Sequence, residues 1–265
     1  MNIKILFTAV LILSQLASGQ SNFFNFLGRV GSAGDSLAKA AVIDSFITYH
    51  RNTTGIPAID GNYAIFVYRG SASTAAVAGD FTSWSSLMQM TKIAGTNFFY
   101  YFRTFEQDAR LDYKIITNGN NWILDPLNPR TCAGGFGPNS ELAMPGYVRP
   151  WEINYNASVP RGAVETKNLS STNTGTSFQV RIYLPAEYPA NPGKRHKTVY
   201  FHDGGDYLNL ANAATVLDNA IDSNKIEPVI GVFVYPNNRN DEYAGAKRTQ
   251  YRLFYVNELV PYIDA

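Results

Sequence analysis

The chain has 265 residues, 45% of them apolar and 14% aromatic, with 22 basic against 21 acidic side chains. That apolar share is enough to build a core and excludes a disordered chain. A formal charge of +1 supplies no basic field for nucleic acid, and the single cysteine, Cys132, excludes an internal disulfide and a cysteine-built metal site.

Residues 1–19 read MNIKILFTAVLILSQLASG. Lys4 gives a positive start, residues 5–13 are apolar but for Thr8, and Ala17, Ser18 and Gly19 are small. This order predicts a secretory signal peptide cleaved before Gln20. The apolar run is shorter than the ~20 residues a membrane-spanning helix needs. A secreted or periplasmic protein with no membrane span is therefore expected, and a lone cysteine suits a bacterial one. The sequons at Asn52, Asn156 and Asn168 are read as chance matches.

Residues 20–55 are expected as a helical segment. Within it 36–50 have helical spacing, with Leu37, Val42, Ile43, Phe46 and Ile47 on or near one face, and Asp35 or Ser36 is placed to cap the start. From 63 to 125 the pattern changes to short strands separated by turn signals such as Gly79-Asp80 and Asn118-Gly119-Asn120-Asn121. An immunoglobulin-like β-sandwich is predicted over residues 56–130. Residues 131–160, rich in Pro, Gly and Asn, are predicted as a linker packed along that sandwich by apolar anchors such as Phe136, Leu142 and Met144.

A third pattern fills 161–265. Residues 178–184 alternate as a strand, 197–202 form a short apolar strand, and 229–235 are apolar throughout, as in a strand buried on both faces. Residues 208–223 and 250–263 have helical spacing, with Pro261 expected to kink or fray the second. Strand, helix, strand, helix implies a parallel sheet with crossover helices. The predicted fold is thus two-domain: the sandwich, then part of an α/β sheet.

Two stretches carry a family resemblance. The first is Val77-Ala78-Gly79-Asp80-Phe81-Thr82-Ser83-Trp84 with Asp112-Tyr113-Lys114 and Trp122-Ile123-Leu124-Asp125-Pro126. It resembles the glycogen-binding-type early-set sandwich that precedes catalytic domains in branching enzymes and some secreted esterases. The second is Thr198-Val199-Tyr200-Phe201-His202-Asp203-Gly204-Gly205-Asp206-Tyr207, then Val232-Phe233-Val234-Tyr235-Pro236 and Asn257-Glu258-Leu259-Val260-Pro261-Tyr262-Ile263-Asp264. It resembles the first half of the α/β-hydrolase branch that contains enterochelin and feruloyl esterases. The resemblance covers about 37–265 and implies a serine carboxylic-ester hydrolase acting on a carbohydrate- or siderophore-linked ester, with no cofactor.

That chemistry needs a G-x-S-x-G nucleophile elbow, then an acid, then a histidine. No serine of this chain has glycine on both sides at that spacing, and no histidine follows His202. None of the triad is present, so a fragment ending before the elbow is expected. The 229–235 strand is expected to await the elbow strand as its parallel neighbour, which would leave an apolar edge open. What the resemblance does supply is the loop after the third strand of the hydrolase sheet, an oxyanion-hole donor in such enzymes, with Gly204 or Gly205 as the donor. Asp203 stands where the family often has glycine.

The alternative is a non-catalytic glucan-binding module with a degenerate hydrolase tail, its sugar held by Trp84 and Trp122 through ring stacking. A packing role for both tryptophans is the competing reading. Gly79-Asp80-Phe81 reads as a turn, and Cys132, with no histidine near it in sequence, as a bystander thiol. Arg239, Asp241, Glu242, Arg248 and Arg252 follow the 229–235 strand, where α/β sheets bind ligands, and are either a substrate-facing cluster or a solvated face. No pair of carboxylates or histidines has metal-ligand spacing.

Overall fold

The computed structural model describes residues 21–191 and 193–265, and the expected signal peptide lies outside them. The chain divides into two compact units, Met1–Val148 and Arg149–Ala265. Among the described residues no helix is long and apolar enough to cross a membrane.

In the first unit one sheet runs in the order β1 (Ala58–Asp60), β2 (Tyr63–Arg69), β6 (Phe98–Thr104), β5 (Thr91–Lys92). A second runs β4 (Met88–Gln89), β3 (Ala75–Gly79), β7 (Arg110–Thr117), β10 (Asn139–Ala143), β9 (Thr131–Cys132), and β8 (Asn121–Ile123) also pairs with β7. Side chains of a strand alternate between its faces, and β2 uses both. Ala64, Phe66 and Tyr68 share one core with Val77, Phe99, Tyr113, Ile115 and Leu142, drawn from both sheets. Ile65 and Val67, with Phe98, share another with Phe23, Phe26 and Val30 of helix α1 (Ser21–Ser32) and Ile43, Phe46 and Ile47 of helix α2 (Ser36–Asn52). The first sheet is therefore buried on both faces, which explains the unbroken apolar run of β2.

Asp35 caps α2 as its sequence suggests, its Oδ1 accepting from the Ala38 N–H at 2.8 Å. Leu37, expected on the buried face, is exposed. The segment expected as a linker differs more. Residues 139–143 are an inner strand of the second sheet, with Leu142 opposite Leu111 and Glu141 ion-paired to Arg110 at 3.1 Å. Five residues carrying Ser and Glu between Gly-rich runs show no apolar alternation, so only the partner strand reveals them.

In the second unit the sheet runs β11 (Ala163–Ser171), β12 (Thr176–Leu184), β14 (Val229–Val234), β13 (Lys197–Phe201). β11 was not anticipated. Its residues are mostly exposed, and it is held by a nine-pair antiparallel ladder to β12. β13 and β14 are parallel and β12 and β14 antiparallel, so the sheet is mixed rather than wholly parallel. The crossover from β13 to β14 carries helices α3 (Gly204–Asn209) and α4 (Ala213–Asp222), and α5 (Arg239–Tyr243) follows β14. The expected open edge on 229–235 is corrected: β14 has a partner on each side, and among the described residues the edge strands of this sheet are β11 and β13. β12 and β13 are consecutive in the chain but not neighbours in the sheet, because β14 enters between them, and the crossover from β13 returns the chain to its inner side.

The expected final helix is three pieces: α6 (Arg248–Phe254), a π-helical turn Tyr255–Leu259, and α7 (Val260–Asp264). Pro261 directly follows the π turn, inside helical backbone that continues from α6, and removes one N–H from that run. Glu258, within the π turn, clasps the β11–β12 hairpin. Its Oε1 accepts from the Thr172 N–H at 2.9 Å, the Thr172 hydroxyl at 2.6 Å and the Asn173 N–H at 3.2 Å.

Candidate active site

At the carboxyl end of β13 the chain turns sharply. Asp203 is left-handed at φ +53°, ψ +43°, and α3 starts at Gly204. Asp and Asn tolerate this region better than other non-glycine residues, so Asp203 makes the turn here with little strain. The N–H groups of Gly204 and Gly205 fall in the first helical turn, where no intrahelical carbonyl is available to them. Gly204 is buried, and a Cβ there would lie 2.6 Å from the Val234 nitrogen and 2.7 Å from the Phe233 Cα. Glycine at 204 therefore allows α3 to approach the backbone of β14. At Gly205 a Cβ would instead meet the Tyr235 ring, 2.7 Å from Cε1.

Around this turn lies a cleft of about 570 Å³, lined among others by His202, Asp203, Arg239, Tyr243, Tyr251 and Tyr255. Asp203 is fixed from two sides. Its carboxylate accepts from Arg239 Nε at 3.0 and 2.9 Å and from the Tyr243 hydroxyl at 3.0 Å. Its own N–H donates to that hydroxyl at 2.9 Å. His202 stands among three phenol rings, with centroids 5.3 Å from Tyr243, 5.8 Å from Tyr251 and 4.8 Å from Tyr255. The hydroxyls of Tyr251 and Tyr255 lie 3.3 and 3.1 Å from His202 Nδ1, and Tyr251 donates to Tyr255 at 3.3 Å.

Burial is the main cause that pushes the Tyr243, Tyr251 and Tyr255 hydroxyls above the ordinary phenol range. All three stay protonated at neutral pH and act as hydrogen-bond donors, not as bases. Glu242 is buried on the cleft wall, its Oε2 accepting from the Asn237 N–H at 3.1 Å. Arg248 and Arg252, both exposed, make no ion pair among the described residues.

The structure thus brings Gly204, Gly205, Arg239, Glu242, Arg248 and Arg252 to one end of the sheet, as far as the turn and the cleft that surrounds it. Asp241 is not among the residues that line the cleft; its Oδ2 accepts from Asn238 Nδ2 at 2.9 Å. His202 and the three tyrosines were not singled out from sequence. The signal for two of them was present: Arg248, Tyr251, Arg252 and Tyr255 recur at helical spacing in RTQYRLFY. The π turn begins at Tyr255, and such turns recur where function needs a side chain set out of helical register. Among the described residues no group of His, Cys, Asp and Glu is arranged to hold a metal ion.

The first unit carries the other candidates. Trp84 and Trp122 stack, with centroids 6.5 Å apart and planes at 29°. Trp84 Nε1 donates to Asp80 Oδ1 at 2.9 Å, and both rings line a cleft of about 590 Å³ with Asp80, Asp112, Lys114 and Asn139. Cys132 lies on β9 with its S–H directed to the Asn139 carbonyl at 3.7 Å, and burial, then Asp112, pushes the thiol up to about 11. A thiol so held is a poor nucleophile.

Residues 171–265 match the model of the Esterase family, described as "Putative esterase". An uncharacterised protein of Bacillus subtilis (strain 168), YjcH, is 27% identical over 108 residues, covering 39% of this chain and 44% of that protein. Ferric enterobactin esterase from Salmonella typhimurium superposes with a TM-score of 0.66 at 18% identity, over 82% of this chain and 65% of its own. Enterobactin esterase from Shigella flexneri, in the presence of enterobactin, gives 0.57 at 18% identity, over 76% and 59%. At such identity the likeness is one of fold. The chain spans less than two thirds of the length of these relatives. Its second unit has an esterase-type hydrolase fold.

Proposed function

We propose that this chain contributes the oxyanion-stabilising and substrate-facing half of a secreted serine carboxylic-ester hydrolase. The observation that carries the proposal is the turn at Asp203. It leads from a parallel strand into a helix whose first N–H groups, on Gly204 and Gly205, have no intrahelical partner, and it opens on a cleft walled by phenols and arginines. Backbone N–H groups fixed in this way stabilise the negative charge that develops on an ester carbonyl oxygen during acyl transfer. Either glycine N–H can serve as the donor, and Gly204 in addition lets α3 pack on β14.

The serine, acid and histidine of that reaction are not among residues 1–265, so the proposal assigns them to polypeptide outside this segment. The ester is carbohydrate- or siderophore-linked, and residues 1–19 direct secretion. The test is the coding sequence beyond the codon for Ala265. An open frame specifying G-x-S-x-G, with acid and histidine after it, sustains the proposal, and an immediate stop codon overturns it. In that longer protein Gly205→Pro, which deletes the donating N–H at a first-turn position, is expected to lower kcat by about 10²-fold with little change in KM. An unchanged kcat would remove Gly205 from the oxyanion hole.

A second reading concerns the first unit. The stacked Trp84 and Trp122, beside carboxylates and a lysine in one cleft, favour an early-set module that binds glucan. Retention of residues 21–148 on insoluble glucan, lost in Trp122→Ala, sustains it, and passage of the wild-type unit unretained sinks it.

A further inference from the structure

We propose that the groove between helices α1 and α2 binds the C-terminal end of an extended peptide, holding its free carboxylate on Arg29. The site belongs to the first unit, and it depends neither on the ester chemistry assigned to the second unit nor on the cleft of Trp84 and Trp122.

The two helices are joined by residues 33–35 and pack as an antiparallel pair, with Phe26 stacked on Phe46 at 4.1 Å between centroids. Between them lies a groove of about 500 Å³, and Phe26, Val42 and Phe46 give it an apolar floor. Because the helices are antiparallel, Arg29 stands one turn from the stacked pair towards the hairpin, at the level of Val42. Asn22 stands one turn the other way, at the level of His50. From Val42 to His50 is two helical turns, about 12 Å, which is the span of about four residues of extended peptide.

The polar groups of the groove are uncommitted. Among the described residues the side chains of Asn22, Asn25 and Arg29 and the Tyr49 hydroxyl make no hydrogen bond or ion pair. His50 lies 2.8 Å through Nδ1 from the Thr54 hydroxyl, and burial, opposed by Asp60, lowers its pKa. The ring is therefore neutral at neutral pH. No carboxylate among the described residues lines the groove, so Arg29 is its one fixed charge. An unpaired guanidinium selects a carboxylate, which it can hold by two parallel bonds. No lining residue lies nearer the hairpin than Arg29 and Val42, so the charge stands at the end of the groove, where a chain terminus fits. Asn22 and Asn25 each carry donors and an acceptor, as peptide units do. A fatty-acid chain would cover both amides without bonding to them.

The test is a titration of the 265-residue chain, by calorimetry or ligand-observed NMR, with four probes. These are acetyl-Ala-Ala-Ala-Leu with a free carboxylate, the same tetrapeptide amidated at its end, the amidated acetyl-Ala-Glu-Ala-Leu, and octanoate. The free acid is expected to bind at least about tenfold more tightly than the amidated tetrapeptide, a preference that fades as salt rises. It is also expected to bind more tightly than the Glu-bearing amide and octanoate. In R29Q the acid falls to the affinity of the amide, whereas R29K keeps part of the preference, since it retains charge but not the fork. S45D, which brings an anion into the groove, is expected to remove the preference although Arg29 is intact. Arg29 and Ser45 are exposed, so the circular dichroism spectrum and melting temperature of these variants stay those of wild type. Equal affinity for acid and amide, a preference that survives R29Q or S45D, or binding of no peptide up to the millimolar range would each overturn the proposal. Octanoate or the Glu-bearing amide binding as tightly as the acid would overturn it as well, by assigning the groove to a lipid or to an acidic side chain.

Discussion

At the scale of single residues, three positions show how local chemistry constrains this chain. Gly204 is fixed by the backbone of β14 rather than by its own turn. Gly204→Ala must push α3 off the sheet, and it is expected to destabilise the second unit by about 1–3 kcal/mol, read from urea unfolding. Gly205→Ala should cost less, because the obstacle is a ring that can move. Asp125 is buried, and accepts from the Tyr113 hydroxyl at 2.7 Å and the Leu127 N–H at 2.8 Å. Burial outweighs these donors and raises its carboxyl to about 6. A folded-state value above the unfolded one means that the native state binds the proton more tightly. Through this group stability rises as pH falls from about 6 towards 4, with a slope of up to about 1.4 kcal/mol per pH unit. Asp125→Asn should abolish that slope, as measured by the difference between variant and wild-type melting temperatures across pH. Glu258 has the opposite sign. Its partial burial raises the carboxyl, but donors from Ser171, Thr172 and Asn173 overcome this and bring it to about 2. Its contribution is complete above the unfolded carboxyl range and is lost as pH falls towards 2. Glu258→Gln is expected to cost about 1–2 kcal/mol at neutral pH and nothing near pH 2, since the group stands partly in solvent.

At the scale of elements, the instructive cases are those where a partner decides. The apolar run of β14 was readable because a strand covered on both faces has no polar positions to interrupt it. β11 and β10 were not readable, since their exposed or charged residues give no alternation, and they exist as strands because β12 and β7 supply hydrogen bonds. Periodicity reports burial, and it is silent on a strand whose stability comes from its ladder. The free edge of the second unit's sheet on the parallel side is β13, where Val199 is exposed. An open edge of this kind templates pairing with other chains. The 265-residue chain is expected to associate with rising concentration, and Val199→Lys to suppress this while costing no more than about 1 kcal/mol of stability. Sedimentation at two or three concentrations reads the outcome, and a wild-type chain that stays monomeric contradicts it.

At the scale of the whole molecule, each unit has its own apolar cores. The first has the one between its sheets and the one under α1 and α2. The second has those on the two faces of its mixed sheet. A unit with a closed core folds without its neighbour, so residues 21–148 expressed alone should unfold in a single cooperative transition. A broad, non-cooperative melt would show that the division does not mark independent folding units.

Sequence by itself determined the strand-rich first half, the position of the Asp203-Gly204-Gly205 turn and the absence of a G-x-S-x-G elbow from residues 1–265. Those features are local, written in consecutive residues whose spacing and turn chemistry leave few alternatives. Only the tertiary structure decided that β14 lies between β12 and β13, that Glu258 serves the β11–β12 hairpin, and that Tyr243, Tyr251 and Tyr255 gather around His202. Each of these joins residues far apart in the chain, and strand order and side-chain convergence follow from packing that no window of consecutive residues contains.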